Sequence, residues 1–128
     1  SMTRRNRAAT LTNRGILFMR MGDHDKALAD YSRSIRLMPE LLESKVNQGA
    51  ALYGLGRYED AMQALNAGVY TDSVDARAIG FYNRALCHEK LGDLQSAYED
   101  FRRALDTQPT FKLAADQLER FTVAEAPG

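Results

Sequence analysis

Cysteine, proline and tryptophan are scarce in the 128 residues: there is one Cys, three Pro and no Trp. A lone Cys87 cannot close an internal disulfide, so neither a disulfide scaffold nor an oxidising compartment is implied. Net charge is missing as well, with 17 basic and 17 acidic side chains. That balance removes the expectation of a chain coated in nucleic acid or held on an anionic membrane. Long hydrophobic runs are also absent. Residues 46–56 carry no charge, yet they include Asn47 and Gln48 and fall well short of the roughly 18 apolar residues a membrane span needs. A soluble chain without membrane insertion is expected. Ser1-Met2 reads as an expression scar behind which a signal peptide could have been removed, which leaves the compartment open. What is present is 45% apolar residues, enough to exclude disorder, in a length that suits one domain or a short repeat array.

The apolar residues recur with a long period. Asn13-Arg14-Gly15, Asn47-Gln48-Gly49 and Asn83-Arg84-Ala85 each precede a glycine, Gly22, Gly56 and Gly92, and each glycine is followed by an alanine, Ala27, Ala61 and Ala97. A large apolar residue comes next: Tyr31, Leu65 and Phe101. The first two units are offset by 34 residues and the third by 36, so two extra residues fall between units two and three. Within each unit the apolar steps are three and four, the signature of a pair of amphipathic helices. The glycine at each junction suits a helix end that needs positive φ. Asp23 and Asp93 suit the N-cap of the following helix, and Arg57 in the second unit cannot serve there. Ala27, Ala61 and Ala97 fit a close crossing of two antiparallel helices.

Pro39 and Pro109 mark the turns that close units one and three. Unit two has Ser73 there, and the stretch 68–73 with its two extra residues predicts a looser connection. Phe111, Ala114, Ala115, Leu118 and Phe121 form one more apolar stripe, read as a capping helix over 112–121 that covers the open end of a stack. Residues 1–7 are a basic lead and 122–128 a frayed tail. The units run over 8–41, 42–75 and 78–111.

This pattern resembles the tetratricopeptide repeat family, with its 34-residue helix–turn–helix unit. Gly15, Phe18, Gly22, Ala27, Tyr31 and Pro39 fit the family pattern in the first unit. Gly49, Leu52, Gly56, Tyr58 and Ala61 fit it in the second, and Ala85, Gly92, Ala97, Phe101, Ala104 and Pro109 in the third. His24 and Leu94 replace an aromatic, Ser34 and Gly68 an alanine, Leu65 an aromatic, and His88 a large apolar residue. The resemblance implies an all-α fold, a right-handed α-solenoid of three units plus the C-terminal capping helix.

It also implies a concave groove lined by the first helix of each unit, and the spacing puts the implied residues on one helical face. They are Ala9, Thr12, Asn13, Ile16, Met19 and Arg20; then Glu43, Val46, Asn47, Ala50, Tyr53 and Gly54; then Ile79, Tyr82, Asn83, Leu86, Glu89 and Lys90. Three asparagines recur at equivalent places. Their amides offer donors and acceptors to the main chain of an extended peptide whatever its side chains. Ile16, Met19, Val46, Tyr53, Tyr82 and Leu86 would supply apolar pockets between them, with Arg20 or Lys90 for an acidic group. Some family members hold a C-terminal carboxylate with a clamp of Lys, Asn and Arg. Only Asn47 matches that clamp in register, and Thr12, Ile16, Ile79 and Asn83 occupy its other places, so recognition of a chaperone tail is not expected.

A catalytic reading rests on Cys87 and His88 alone. Neighbours on a helix point about 100° apart and do not face each other, and Cys87 corresponds to Leu17 and Ala51, which marks it as packing. Two histidines and one cysteine give no zinc spacing, and the glycines follow the repeat and not a phosphate loop. No enzyme, metal or cofactor is expected. Charge is unevenly placed: residues 1–22 carry five arginines and no acid, and residues 93–128 carry seven acids and four bases. The alternative to an unidentified protein or peptide partner in the groove is therefore a self-assembling homo-oligomer stacked head-to-tail through its ends. The arginines lack interleaved aromatics, so nucleic acid is not an expected partner.

Overall fold

A computed structural model describes residues 3–125, with side chains through residue 121. Among the described residues there are seven helices and no strand: α1 (Arg4–Arg20), α2 (His24–Leu37), α3 (Leu42–Gly54), α4 (Tyr58–Gly68), α5 (Val74–Lys90), α6 (Leu94–Thr107) and α7 (Lys112–Glu125). They stack as three antiparallel pairs, α1 with α2, α3 with α4 and α5 with α6, and α7 packs on α6. Contacts between pairs run from α2 to α3, from α4 to α5 and from α3 to α5. The architecture is an all-α solenoid.

Each turn inside a pair is built the same way. Gly22, Gly56 and Gly92 have φ of 77°, 76° and 89°, the left-handed region where a Cβ is strained. The next amide folds back on the first helix, as Asp23 N–H does on the Phe18 carbonyl at 2.8 Å and Asp93 N–H on that of His88 at 2.9 Å. Asp23 and Asp93 then accept from Lys26 and Ser96 amides at 3.3 and 3.1 Å. Arg57 caps nothing and pairs with Asp60 at 2.8 Å.

The crossing inside a pair is a knob in a notch. A methyl at Gly15 would stand 2.5 Å from Cε1 of Tyr31, and one at Gly49 would stand 2.5 Å from Cγ of Leu65. In the third pair the notch is a fully buried Ala85 against the fully buried Phe101. Ala27, Ala61 and Ala97 are also completely buried. Each large residue of the second helix thus fills the hollow left by a small residue of the first.

Most of the basic lead joins the first helix, since Thr3 caps α1 by accepting from the Asn6 amide and Arg4, Arg5 and Arg7 ride on its first turns. Two expectations are corrected. The connection after α4 is tight, not loose. Thr71 is buried and donates to Glu43 at 3.2 Å, its carbonyl accepts from Arg77, and Ser73 caps α5 by accepting from the Ala76 amide at 3.3 Å. The extra residues lengthen α5, which has 17 residues, while α4 has 11. The stretch 122–125, expected to fray, continues α7, and the rest of that stretch lies outside the described residues. Within the capping stripe Ala114 and Leu118 are buried, and Ala115 points outward.

Gly68 ends α4 early, and a methyl there would lie 2.8 Å from Cγ2 and 2.9 Å from the backbone nitrogen of Val46. The backbone cannot yield as a side-chain tip can. Gly68→Ala is expected to destabilise the chain by about 1–3 kcal/mol through overpacking, despite alanine's better helix propensity. Urea unfolding measures the difference, and a stabilised variant would contradict the packing.

Candidate functional site

The first helices α1, α3 and α5 carry the candidate groove residues. Asn13 is exposed and Asn47 and Asn83 are half-buried, and none of the three side-chain amides has a hydrogen-bond partner among the described residues. Their amide atoms are not buried, so donors and acceptors stand open to solvent or to a ligand. Around them Ile16, Met19, Ala50, Tyr53, Tyr82 and Leu86 are half-buried, and Ile79 is exposed. Ile16 and Met19 rest on the cluster of Ala27, Tyr31 and Ala51. The Tyr53 ring lies 5.4 Å from that of Tyr58, and the Tyr82 ring lies 5.6 Å from Phe101 and 5.3 Å from Phe111. Arg20 and Lys90 are exposed and have no acidic partner among the described residues.

Other expected groove residues are placed differently. Val46 does not line the groove: it is 1% exposed and packs with Leu52, Leu65 and Cys87. Gly68 and Gly80 make room for it, since methyls there would stand 2.8 and 3.2 Å from its Cγ2. Thr12 is engaged inside the first pair, 2.9 Å from the Ser34 hydroxyl. Ser34, buried where the family has alanine, donates to the Ala8 carbonyl at 3.1 Å, so the Thr12 hydroxyl is the donor to Ser34. Glu43 accepts from Thr71, and Glu89 accepts from Arg120 at 2.8 Å. Ala9 is exposed. Gly54 faces the His24 ring, which a methyl would approach to 2.7 Å.

Cys87 and His88 diverge. Cys87 is fully buried, and burial pushes its thiol up to about 11 from the ordinary 9.0. His88 points at Asp100, with Nε2 3.5 Å from the carboxylate. The folded chain keeps the Cys87 proton while the unfolded chain releases it near pH 9, so the stability this supplies is intact below pH 9 and falls as pH rises toward 11. Tyr31, raised to about 12 by burial and secondarily by Asp30, acts in the same direction in the next pH range up. Cys87→Ala is expected to flatten the fall in unfolding free energy between pH 9 and 11. Equal slopes in both proteins would contradict the assignment.

One constellation was not singled out in the sequence. Arg14 binds Asp30 with Nε and Nη2 at 2.8 and 2.7 Å, and Arg84 binds Asp100 in the same two-pronged way at 2.6 and 2.9 Å. Asp100 also accepts from Arg103 at 2.8 Å. The signal was the repeated Asn-Arg, answered 16 residues later by an aspartate directly before the large residue. The second unit lacks the pair because Gln48 and Ala64 stand in its places.

Stacked helical hairpins of this kind define an α-solenoid of the interaction-module class. The chain belongs to the tetratricopeptide repeat family, whose profiles match residues 6–69 and 78–111. The Hsp70-Hsp90 organizing protein of Triticum aestivum is 26% identical over 92 residues, which are 72% of this chain and 16% of that protein. DnaJ homolog subfamily C member 7 of Homo sapiens is 28% identical over 125 residues, 92% of this chain and 25% of that protein. The chain therefore spans a quarter or less of the length of these two relatives. The solved structure of the first TPR of Spaghetti (RPAP3) bound to the HSP90 peptide SRMEEVD superposes with a TM-score of 0.82 at 21% identity, covering 94% of both chains. At that identity the likeness establishes the fold. No helix among the described residues is long and apolar enough to cross a membrane.

Proposed function

We propose that this chain is a non-enzymatic interaction module that grips a short extended peptide segment of a partner protein on the face formed by α1, α3 and α5. The observation that carries this reading is the row of Asn13, Asn47 and Asn83, whose amides have no partner among the described residues. Spaced along stacked helices, such amides can bond successive peptide groups of an extended chain, as recognition of a main chain requires. Tyr53, Tyr82 and Leu86 offer apolar contacts between them, and aromatic side chains of this kind supply much of the energy of interfaces. The relatives support a peptide ligand in general, since the superposed domain of Spaghetti is bound to an HSP90 peptide. That particular ligand is not proposed here, because Thr12, Ile16 and Ile79 stand where the carboxylate clamp of some family members has Lys, Asn and Lys.

A random peptide library displayed against the protein tests the reading. Selected peptides are expected to compete for one site and to lose at least about tenfold in affinity on Ile79→Asp, which puts a charge on the face at a position that is 43% exposed and outside the core clusters. Peptides that ignore this substitution bind elsewhere and overturn the assignment of the face.

A further inference from the structure

We propose that the N-terminal end of the stack is a second docking surface, which takes an acidic amphipathic helix of a partner protein onto α1 in the way that α2 lies on α3 and α4 on α5. The evidence is a comparison of equivalent places in the repeat. Ala51 on α3 and Cys87 on α5 are both fully buried, Ala51 clustering with Ala27 and Tyr31 of α2 and Cys87 with Ala61 and Leu65 of α4. Leu17 holds the same place on α1 and is 55% exposed. The first helix thus carries an inward-type face that nothing among the described residues covers, and its exposed side chain is larger than either buried counterpart.

The polar register repeats as well. Gln48 donates to the Ser32 hydroxyl at 3.4 Å, and Arg84 donates through Nη1 to the Asn66 side-chain oxygen at 3.3 Å. Ser32 and Asn66 hold equivalent places on the second helix of the preceding pair. Arg14 is the third member of this series. Its Nε and Nη2 are held by Asp30 as those of Arg84 are by Asp100, but its Nη1 has no partner among the described residues, and its side chain is 55% exposed against 18% for Arg84. A short polar side chain on an incoming helix would complete it.

Charge sets the sign of the occupant. Beside this face a cleft of about 370 Å³ opens between α1 and α2, lined by Arg7, Thr10, Leu11, Arg33, Arg36 and Leu37. Arg7, Arg33 and Arg36 have no acidic partner among the described residues; Asp30 and Glu40 are engaged, by Arg14 and by Arg4 at 3.7 Å, and the exposed Asp25 lies in the first turn of α2, at the opposite end of that helix from Arg33 and Arg36. Arg14 and Lys26 sit over the Phe18 ring at 5.9 and 5.6 Å, adding cations to the same side. Three unpaired guanidinium groups around a leucine floor are complementary to a helix with carboxylates beside its apolar seam.

The test uses two synthetic helical peptides with the same leucine and alanine seam, one flanked by glutamates and the other by lysines, titrated by fluorescence anisotropy. The glutamate peptide is expected to bind and the lysine peptide not to bind. Leu17→Asp, at an exposed position that leaves the fold intact, is expected to weaken the glutamate peptide by about tenfold or more. Arg33→Glu with Arg36→Glu is expected to reverse the preference between the two peptides. Asn47→Ala with Asn83→Ala is expected to leave this binding unchanged, which separates it from the groove. Equal binding of both peptides, indifference to Leu17→Asp, or loss through the asparagine substitutions overturns the proposal. Light scattering that shows a dimer dissolved by Leu17→Asp also overturns it, because a second copy then fills the face.

Discussion

Asp100→Ala is expected to lower the unfolding free energy by about 3–5 kcal/mol, the range seen when one member of a buried ion pair is removed. Asp100 is fully buried and receives Arg84 at 2.6 and 2.9 Å, Arg103 at 2.8 Å and His88 at 3.5 Å. With the carboxylate gone, Arg84 remains 18% exposed beside the Phe81 ring, a cation with its counter-charge removed and little access to water. Arg103 matters less, because at 51% exposure it can turn to solvent. Asp30→Ala removes the equivalent pair in the first unit but is expected to cost clearly less, about 1–2 kcal/mol, since Arg14 is 55% exposed and is rehydrated. In a stacked array the damage is local, so amide exchange should accelerate first in α5 and α6. Equal costs for the two substitutions in urea titrations would mean that burial of the arginine is not the deciding factor.

Asn47→Ala with Asn83→Ala is expected to weaken a groove-selected peptide by at least about tenfold while changing stability by under about 0.5 kcal/mol. The two effects separate because neither amide has a partner among the described residues, so truncation removes no hydrogen bond that holds the fold. Alanine also has the better helix propensity, which offsets the small loss of packing. A peptide bound through its main chain, by contrast, is left with peptide groups that must be desolvated without a partner. Asn13→Ala is expected to matter less, since Asn13 is exposed.

The helical pairs were legible because their causes are local and periodic. Gly22, Gly56 and Gly92 adopt the positive φ that a helix end requires, Asp23 and Asp93 cap the next helix, and small residues face large ones at each crossing. What could not be read depends on residues distant in sequence. Val46 enters the core because Gly68 and Gly80, on two other helices, leave space for it. The stretch after α4 is tight because Thr71 reaches Glu43 and Arg77. The aspartates were visible as a repeated pattern, but their burial under two-pronged arginines follows from the crossing of the pairs and not from any one helix. Of the candidate groove residues, the three asparagines keep amides without a partner among the described residues and Tyr53, Tyr82 and Leu86 are half-buried, while Val46 is enclosed and Thr12 is bonded within its own pair.

The central claim, that a peptide lies along α1, α3 and α5 and is held by asparagine amides, is tested most directly by nitrogen–proton spectra of the labelled protein with and without a library-selected peptide. The side-chain NH2 signals of Asn47 and Asn83 are expected to shift on binding, together with backbone amides on α3 and α5. Unmoved asparagine side chains with shifts gathered on α2, α4 and α6 would contradict it.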